Sequence, residues 1–197
     1  MDSRRPRKLL SDPEHDTEDK QYWVKKYASK EVEFCDRVAP RINMEAIINP
    51  EKEKDPRLPD LNVNKRLADL KYQSTPFYSA GANYGCDPQY TVTFNEKDYL
   101  NYSQNYPDLD IYFWVDYPDE LKEYRGKSVK INRLEGVFQL NFSSLAELIE
   151  KKCPPLHSYQ RRVSDTIGNA KRSYLLDIRD FDCLIILNGE LNDRNIP

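Results

Sequence analysis

Three side chains in RLPDLNVNKRLADLKYQSTPFY (residues 57–78) could handle a divalent cation or a phosphate: Asp60, Asp69 and Lys71. Fold the segment as two antiparallel strands with a two-residue turn at Asn64-Lys65. Val63 then faces Arg66, Asn62 faces Leu67, Leu61 faces Ala68 and Asp60 faces Asp69. Asn suits the first turn position because it tolerates positive φ. Alternation by two puts Leu61, Val63, Ala68 and Leu70 on one side. The other side receives Asp60, Asn62, Asp69, Lys71 and Gln73, with Leu67 as its one apolar member. A one-residue slip would mix the two sets, so the pattern selects this register.

The charges make this register demanding. Directly opposed strand residues have Cβ atoms about 4.5–5.5 Å apart. Two carboxylates at ~5 Å repel by roughly 3 kcal/mol at an effective dielectric of ~20. A divalent cation between them would remove the repulsion. Mg²⁺ prefers hard oxygen ligands and is commonly held by one or two carboxylates with water and phosphate oxygens. Lys71 lies on the same face, one pleat beyond Asp69. It could position or activate a water, or neutralise charge developing on a phosphate. The plainer alternative is a Pro-Asp turn beside a surface Asp-Lys pair.

The elements around this hairpin read as an α/β chain. KQYWVKKYASKEVEFCDRVA (20–39) predicts an amphipathic helix, with Trp23, Tyr27, Phe34 and Val38 on one stripe and Pro40 just past its end. Glu31 borders the stripe and Glu33 points further away. A short apolar run, MEAII (44–48), precedes a proline-bearing loop. After the hairpin come a Gly-bearing loop (79–89), a strand (90–94) and a helix (95–106) with Asn95 at its N-cap. DIYFWVDY (110–117) is apolar on both faces and predicts a central buried strand. Residues 118–135 are charged and read as a loop. A strand (136–142), a serine-capped helix (143–152) and two strands (174–178, 183–187) follow. Alternating strands and helices favour a mixed α/β fold in one domain, 20–197, after a charged N-terminal arm, 1–19, expected to be mobile.

Bulk properties exclude several classes. The 197 residues suit one domain with its own core. Aromatic content of 12% argues against general disorder. A net charge of -3 argues against a histone-like or polycationic binder but leaves room for a local basic groove. The four cysteines are far apart and form no CxxC, which argues against structural zinc and for free thiols in a reducing cytoplasm. No apolar run approaches the ~20 residues of a membrane span, and no signal peptide is recognisable. Nucleotide-binding glycine loops and the GxSxG elbow are absent from the sequence.

At Pro59-Asp60 and Asp69-Leu70-Lys71 the chain resembles the PD-(D/E)xK nuclease superfamily, the restriction-endonuclease-like enzymes, over residues 20–117. The resemblance implies a mixed central sheet flanked by helices, in α-β-β-β-α-β order. It implies Mg²⁺-dependent endonuclease hydrolysis of a DNA phosphodiester, with Mn²⁺ as a substitute metal. Asp60 and Asp69 would bind the metal, the Leu70 carbonyl would add a hard oxygen, and Lys71 would orient water and stabilise charge. The first helix often supplies a further acid in this family, for which Glu31 is the first candidate and Glu33 the second. Gln73 matches a polar residue often found two after the lysine. A symmetric homodimer is a further expectation, because such enzymes often cut two strands as dimers. The alternatives are a ribonuclease using the same carboxylates, or a non-catalytic nucleic-acid- or protein-binding module that keeps the fold.

A second basic and aromatic region, His157, Arg161 and Arg162 with Lys171 and Arg172, could clamp phosphates or reach a base edge. It reads equally as a solvated basic face. Tyr72, Phe77 and Tyr78 flank the hairpin and could line a DNA groove, although core packing is their ordinary use.

Overall fold

A computed structural model describes residues 29–55, 57–159 and 172–191. Helix α1 is described from residue 29 and is regular to residue 33. It then widens into a π-turn (Phe34–Val38) and tightens into a 3-10 turn (Ala39–Ile42). Pro40 has no N–H to continue an α-ladder, and Asn43 closes the segment in the left-handed region at φ 54°. Phe34 and Val38 are fully buried. Trp23 and Tyr27, the other members of the predicted stripe, and the arm 1–19 lie outside the described residues.

Strands β1 (Ala46–Ile48), β2 (Leu61–Val63) and β3 (Arg66–Gln73) form an antiparallel meander. The β2–β3 register is the predicted one, Leu61 to Ala68 and Val63 to Arg66. Asn64 and Lys65 make the turn with φ of 49° and 67°, the positive values a type I′ turn requires. Helix α2 (Ala80–Tyr84), strand β4 (Thr91–Asn95) and helix α3 (Glu96–Asn105) then lead to β5 (Asp110–Tyr117). β5 runs parallel to β3 and places Ile111 beside Asp69 and Phe113 beside Lys71.

Hairpin β6 (Glu120–Tyr124) and β7 (Lys127–Ile131) occupies the segment expected to be a loop. Its turn, Arg125-Gly126, has positive φ at both residues. Their inward face mixes Glu120 and Lys122 with Tyr124, Val129 and the buried Ile131, so the apolar-polar contrast that reveals a strand is weak. Strand β8 (Leu134–Asn141), helix α4 (Phe142–Lys152), and strands β9 (Leu156–Ser158), β10 (Arg172–Asp177) and β11 (Asp182–Gly189) follow among the described residues. The cap of α4 is Asn141, whose side chain accepts from the Ser143 N–H, and not a serine. Asn95 sits at the α3 N-cap, but its oxygen accepts from the Ser173 hydroxyl and makes no capping bond. Within the predicted 79–89 loop, residues 80–84 are helical.

The main sheet has the order β1-β2-β3-β5-β8-β11, and only the β3–β5 pair is parallel. A second sheet, β4-β10-β9, packs against it. β5 lies centrally, and its alternation divides two cores. Tyr112 and Trp114 join Phe34, Val38, Leu61, Val63, Ala68 and Leu70 on the α1 side. Ile111, Phe113, Val115 and Tyr117 join Val92, Phe94, Phe142 and Leu145 on the other. The fold is therefore mixed α/β with helices on both faces of a six-stranded sheet. Among the described residues no helix is long and apolar enough to cross a membrane.

Candidate functional site

The site grows from a mismatch in strand length. β2 has three residues and its pairing with β3 ends at Leu61–Ala68. The expected fourth pair, Asp60 with Asp69, is not part of the ladder. Instead Asp60 turns its side chain to the next backbone donor, and its Oδ2 accepts from the Leu70 N–H at 3.2 Å. Amide and carbonyl of one strand residue leave the strand on the same side. The Leu70 carbonyl thus faces the edge that Asp60 occupies.

Asn49 fixes the Pro59-Asp60 corner. Its Nδ2 donates to the Pro59 carbonyl at 3.0 Å, and its own N–H donates to the Asp60 carbonyl at 2.9 Å. Its Oδ1 accepts from Glu51 N–H and starts the 3-10 turn Pro50–Glu53. That turn carries Lys52, whose ammonium donates to Glu31 Oε1 at 2.9 Å and to Asp60 Oδ1. Burial works against the Lys52 charge, but Asp60 and Glu31 outweigh it and hold its pKa above the ordinary lysine value.

Asp69 and Lys71 point to the other side of β3, under α3. Asp69 is 2% exposed. Its Oδ1 accepts from the Tyr102 hydroxyl at 2.7 Å, and its Oδ2 meets Lys71 Nζ at 2.7 Å as an ion contact without hydrogen-bond alignment. Lys71 Nζ also donates to Asp98 Oδ2 at 2.7 Å. Burial pushes the Asp69 carboxyl up, opposed by the neighbouring Lys71 charge. Lys71 loses solvation too, yet Asp69, Tyr102 and Asp98 hold its pKa well above the usual range. Burial likewise raises the Tyr102 hydroxyl.

Two openings meet at this edge. A cleft of about 540 Å³ is lined by Lys30, Glu31, Asp60, Leu70, Lys71 and Gln73, with Tyr72, Phe77 and Tyr159 among its walls. A smaller cavity of about 300 Å³ is lined by Asp60, Asp69, Lys71, Asp98 and Tyr102. Asp60 and Lys71 border both. Glu31, Asp60, Leu70, Lys71 and Gln73 therefore line the larger cleft, while Asp69 lines only the smaller cavity on the α3 side of β3. Glu33 lies in a different network, paired with Lys30 at 2.5 Å and Arg37 at 2.8 Å. Gln73 ties β3 to the second sheet: Nε2 donates to Thr91 O and to the Tyr117 hydroxyl, and Oε1 accepts from Thr93 N–H. Tyr78 is buried and donates to Glu120.

Sequence reasoning missed Lys52, Asn49, Asp98 and Tyr102. Asp98 and Tyr102 had a signal, since residues four apart share a helix face. Lys52 and Asn49 had none, because an irregular loop has no periodicity to read.

The second basic region is only partly described. Arg161, Arg162 and Lys171 lie outside the described residues. Arg172 forms a bidentate ion pair with Glu96, at 2.7 and 2.6 Å, and so is neutralised where it stands. His157 packs edge-on against Phe77 and Tyr159, with ring centroids 4.9 and 4.6 Å away, and its Nδ1 lies 2.8 Å from the Tyr84 hydroxyl.

Among the described residues, no three His, Cys, Asp or Glu side chains converge as a ready-made metal cage. The acids meet ammonium groups instead: Lys52 between Glu31 and Asp60, Lys71 between Asp69 and Asp98. The donor set is nevertheless all hard oxygen, the type Mg²⁺ and Mn²⁺ take, and each lysine marks a spot where positive charge is favoured. Comparison with protein-family models, with curated proteins and with solved structures returned no match.

Proposed function

We propose that this chain is a metal-dependent endonuclease that hydrolyses DNA phosphodiester bonds in the cleft along the free edge of β3. The observation that carries the reading is the meeting of Glu31, Asp60, Leu70 and Lys71 on that cleft, with Asp69 reached through Asp60 and Lys71. Part of the element order supports it: a helix, three antiparallel strands, and a strand parallel to the third. The crossover between the last two carries α2, β4 and α3, so it departs from the α-β-β-β-α-β order that the PD-(D/E)xK resemblance implies by one strand, which pairs in the second sheet.

In this reading Asp60, Asp69 and Glu31 hold the cation, with the Leu70 carbonyl as a further oxygen. Bound Mg²⁺ supplies positive charge to the attacked phosphate and makes a bound water more acidic. Lys71, kept charged by two carboxylates, donates hydrogen bonds and opposes negative charge developing on the phosphate; it is not a proton acceptor. Gln73 keeps β3 in place beneath it. Duplex DNA would lie against the cleft walls, and a homodimer would present two such clefts to two strands.

The test is incubation with plasmid and Mg²⁺, repeated with single-stranded DNA, branched DNA and RNA. Wild type nicks DNA, EDTA stops it, and Asp69→Ala or Lys71→Ala lowers the rate roughly 10²-fold or more. Cleavage of RNA alone makes the protein a ribonuclease with the same carboxylates. Binding of nucleic acid without cutting any of the four substrates overturns the catalytic reading in favour of a binding module. That rival draws on one specific observation, the lysine ammoniums already lodged between the acids.

A further inference from the structure

Lys52 touches two acids of the site, yet the nuclease reading gives it no task. It rises from the 3-10 turn Pro50–Glu53, on the connection between β1 and β2, and not from the sheet. Its ammonium donates to both Glu31 and Asp60, the two acids that face the larger cleft. Its side chain is 22% exposed, so one flank reaches solvent. Two residues later, Lys54 is exposed and, among the described residues, pairs with Glu51 alone, at 2.9 Å.

We propose that Lys52 is an internal counter-cation that holds the Glu31–Asp60 pair together in the metal-free protein and is displaced when a divalent cation binds. The inference rests on the proposed reading of the same site. Its basis is competition between like charges. A divalent ion binds carboxylate oxygens at about 2.0–2.1 Å for Mg²⁺. An ammonium donating to those same oxygens would face a doubly charged neighbour at close range. The Lys52 charge therefore competes with a divalent ion for the same two carboxylates.

The sequence connection also suits displacement. Asn49 anchors the base of the turn through four hydrogen bonds, one of them from the Lys52 N–H, so backbone and Asp60 stay fixed while the Lys52 stem swings outward. A flexible four-carbon stem with a strongly hydrated head loses little on entering water. Without metal, the same lysine prevents two acids from facing each other unpaired.

Two measurements test it, neither needing catalysis. Mn²⁺ binding to the full chain is followed by loss of the free-ion EPR signal, for wild type, Lys52→Gln, Lys52→Met, Lys54→Gln and Asp60→Asn. Removing the competitor should tighten Mn²⁺ binding roughly three- to tenfold, the range expected for losing a partly exposed pair of ion contacts. Lys54→Gln should match wild type, and Asp60→Asn should weaken binding. Independently, acetylation of Lys52 by an amine-reactive ester, read by mass spectrometry, should rise severalfold when Mg²⁺ is added, while labelling of Lys54 does not change. Binding that depends on Asp60 but is unaffected by both Lys52 variants, with Lys52 labelling unchanged by Mg²⁺, overturns the displacement proposal alone. Mn²⁺ binding that is indifferent to Asp60→Asn overturns the metal site itself, and displacement with it.

Discussion

The Tyr102 hydroxyl donates to Oδ1 of Asp69 at 2.7 Å, across the interface between α3 and β3, where Asp69 is nearly sealed from water. A buried carboxylate oxygen without a donor is costly. Tyr102→Phe keeps the ring packing against Phe94 and Phe142 and removes only the donor. It should lower stability by about 1–3 kcal/mol, read as a shift of the urea midpoint at unchanged slope. Adding Asp69→Asn should recover part of the loss; a single variant as stable as wild type would show that the bond contributes nothing.

Lys71 is the main compensation for the Asp69 charge. Lys71→Met leaves that carboxylate buried beside Tyr102 alone, and breaking one partner of a buried pair costs about 3–5 kcal/mol. Asp69→Asn combined with Lys71→Met should be more stable than Lys71→Met by itself. The pH dependence has a definite sign. Lys71 has its pKa raised in the fold, so its contribution is complete below the unfolded lysine value of about 10.4 and is lost as pH rises through the folded value. Buried Tyr102 and Tyr117, also raised, act in the same direction. Lys71→Met should therefore lose less stability than wild type between neutral and strongly alkaline pH, in denaturant titrations at fixed temperature.

Asn49 is 4% exposed and joins the Pro59-Asp60 corner to the turn that carries Lys52. Asn49→Leu removes the side-chain bonds and strands the Pro59 carbonyl. A loss of about 1–3 kcal/mol is expected. Faster amide exchange should follow at Glu51, whose N–H bonds the Asn49 side chain. The assignment fails if exchange there equals wild type.

Lys65 holds φ at 67°, a region in which side chains with a Cβ are disfavoured by roughly 1–2 kcal/mol. Asn64, the other turn residue, uses its side chain to accept from the Glu45 N–H and should be left alone. Lys65→Gly creates the Asn-Gly pair that such turns favour. Thermal unfolding should shift upward by the equivalent of about 0.5–1 kcal/mol; a downward shift contradicts the turn assignment.

Partial burial among Phe77, Tyr84 and Tyr159 lowers the His157 pKa from its ordinary 6.5. Folding then disfavours the charged ring. The stability it contributes is complete above the unfolded value and is lost as pH falls through the folded one. A proton NMR titration, with His15→Gln to assign the resonances, should place the His157 midpoint below 6.5. A midpoint at or above that value would mean the ring is exposed or paired with an acid.

The hairpin register and the β5 strand were legible because both rest on the period of two. Leu61, Val63, Ala68 and Leu70 share a face only in one pairing, and DIYFWVDY has no polar face to give to solvent. The β6–β7 ribbon has only a weak contrast, because Glu120 and Lys122 share the inward face with Val129 and Ile131, and it read as a loop. The acids near the cleft were recognisable as a set, but their partners were not. Lys52 reaches Glu31 across 21 residues, and Lys71 reaches Asp98 across 27.

The sequence alone determined which side chains lie on the charged face of the hairpin, because strand geometry forces residues two apart onto the same side. It also determined that β5 is buried. Only the tertiary structure decided what those charges meet. β2 stops at Leu61, so Asp60 caps the edge of β3 through the Leu70 N–H and forms no ladder pair with Asp69. α1, the β1–β2 turn and α3 then each bring one group, Glu31, Lys52 and Asp98, to that edge. The physical reason is distance along the chain: local periodicity fixes the direction of a side chain, while the charge that compensates it is chosen by the packing of remote elements.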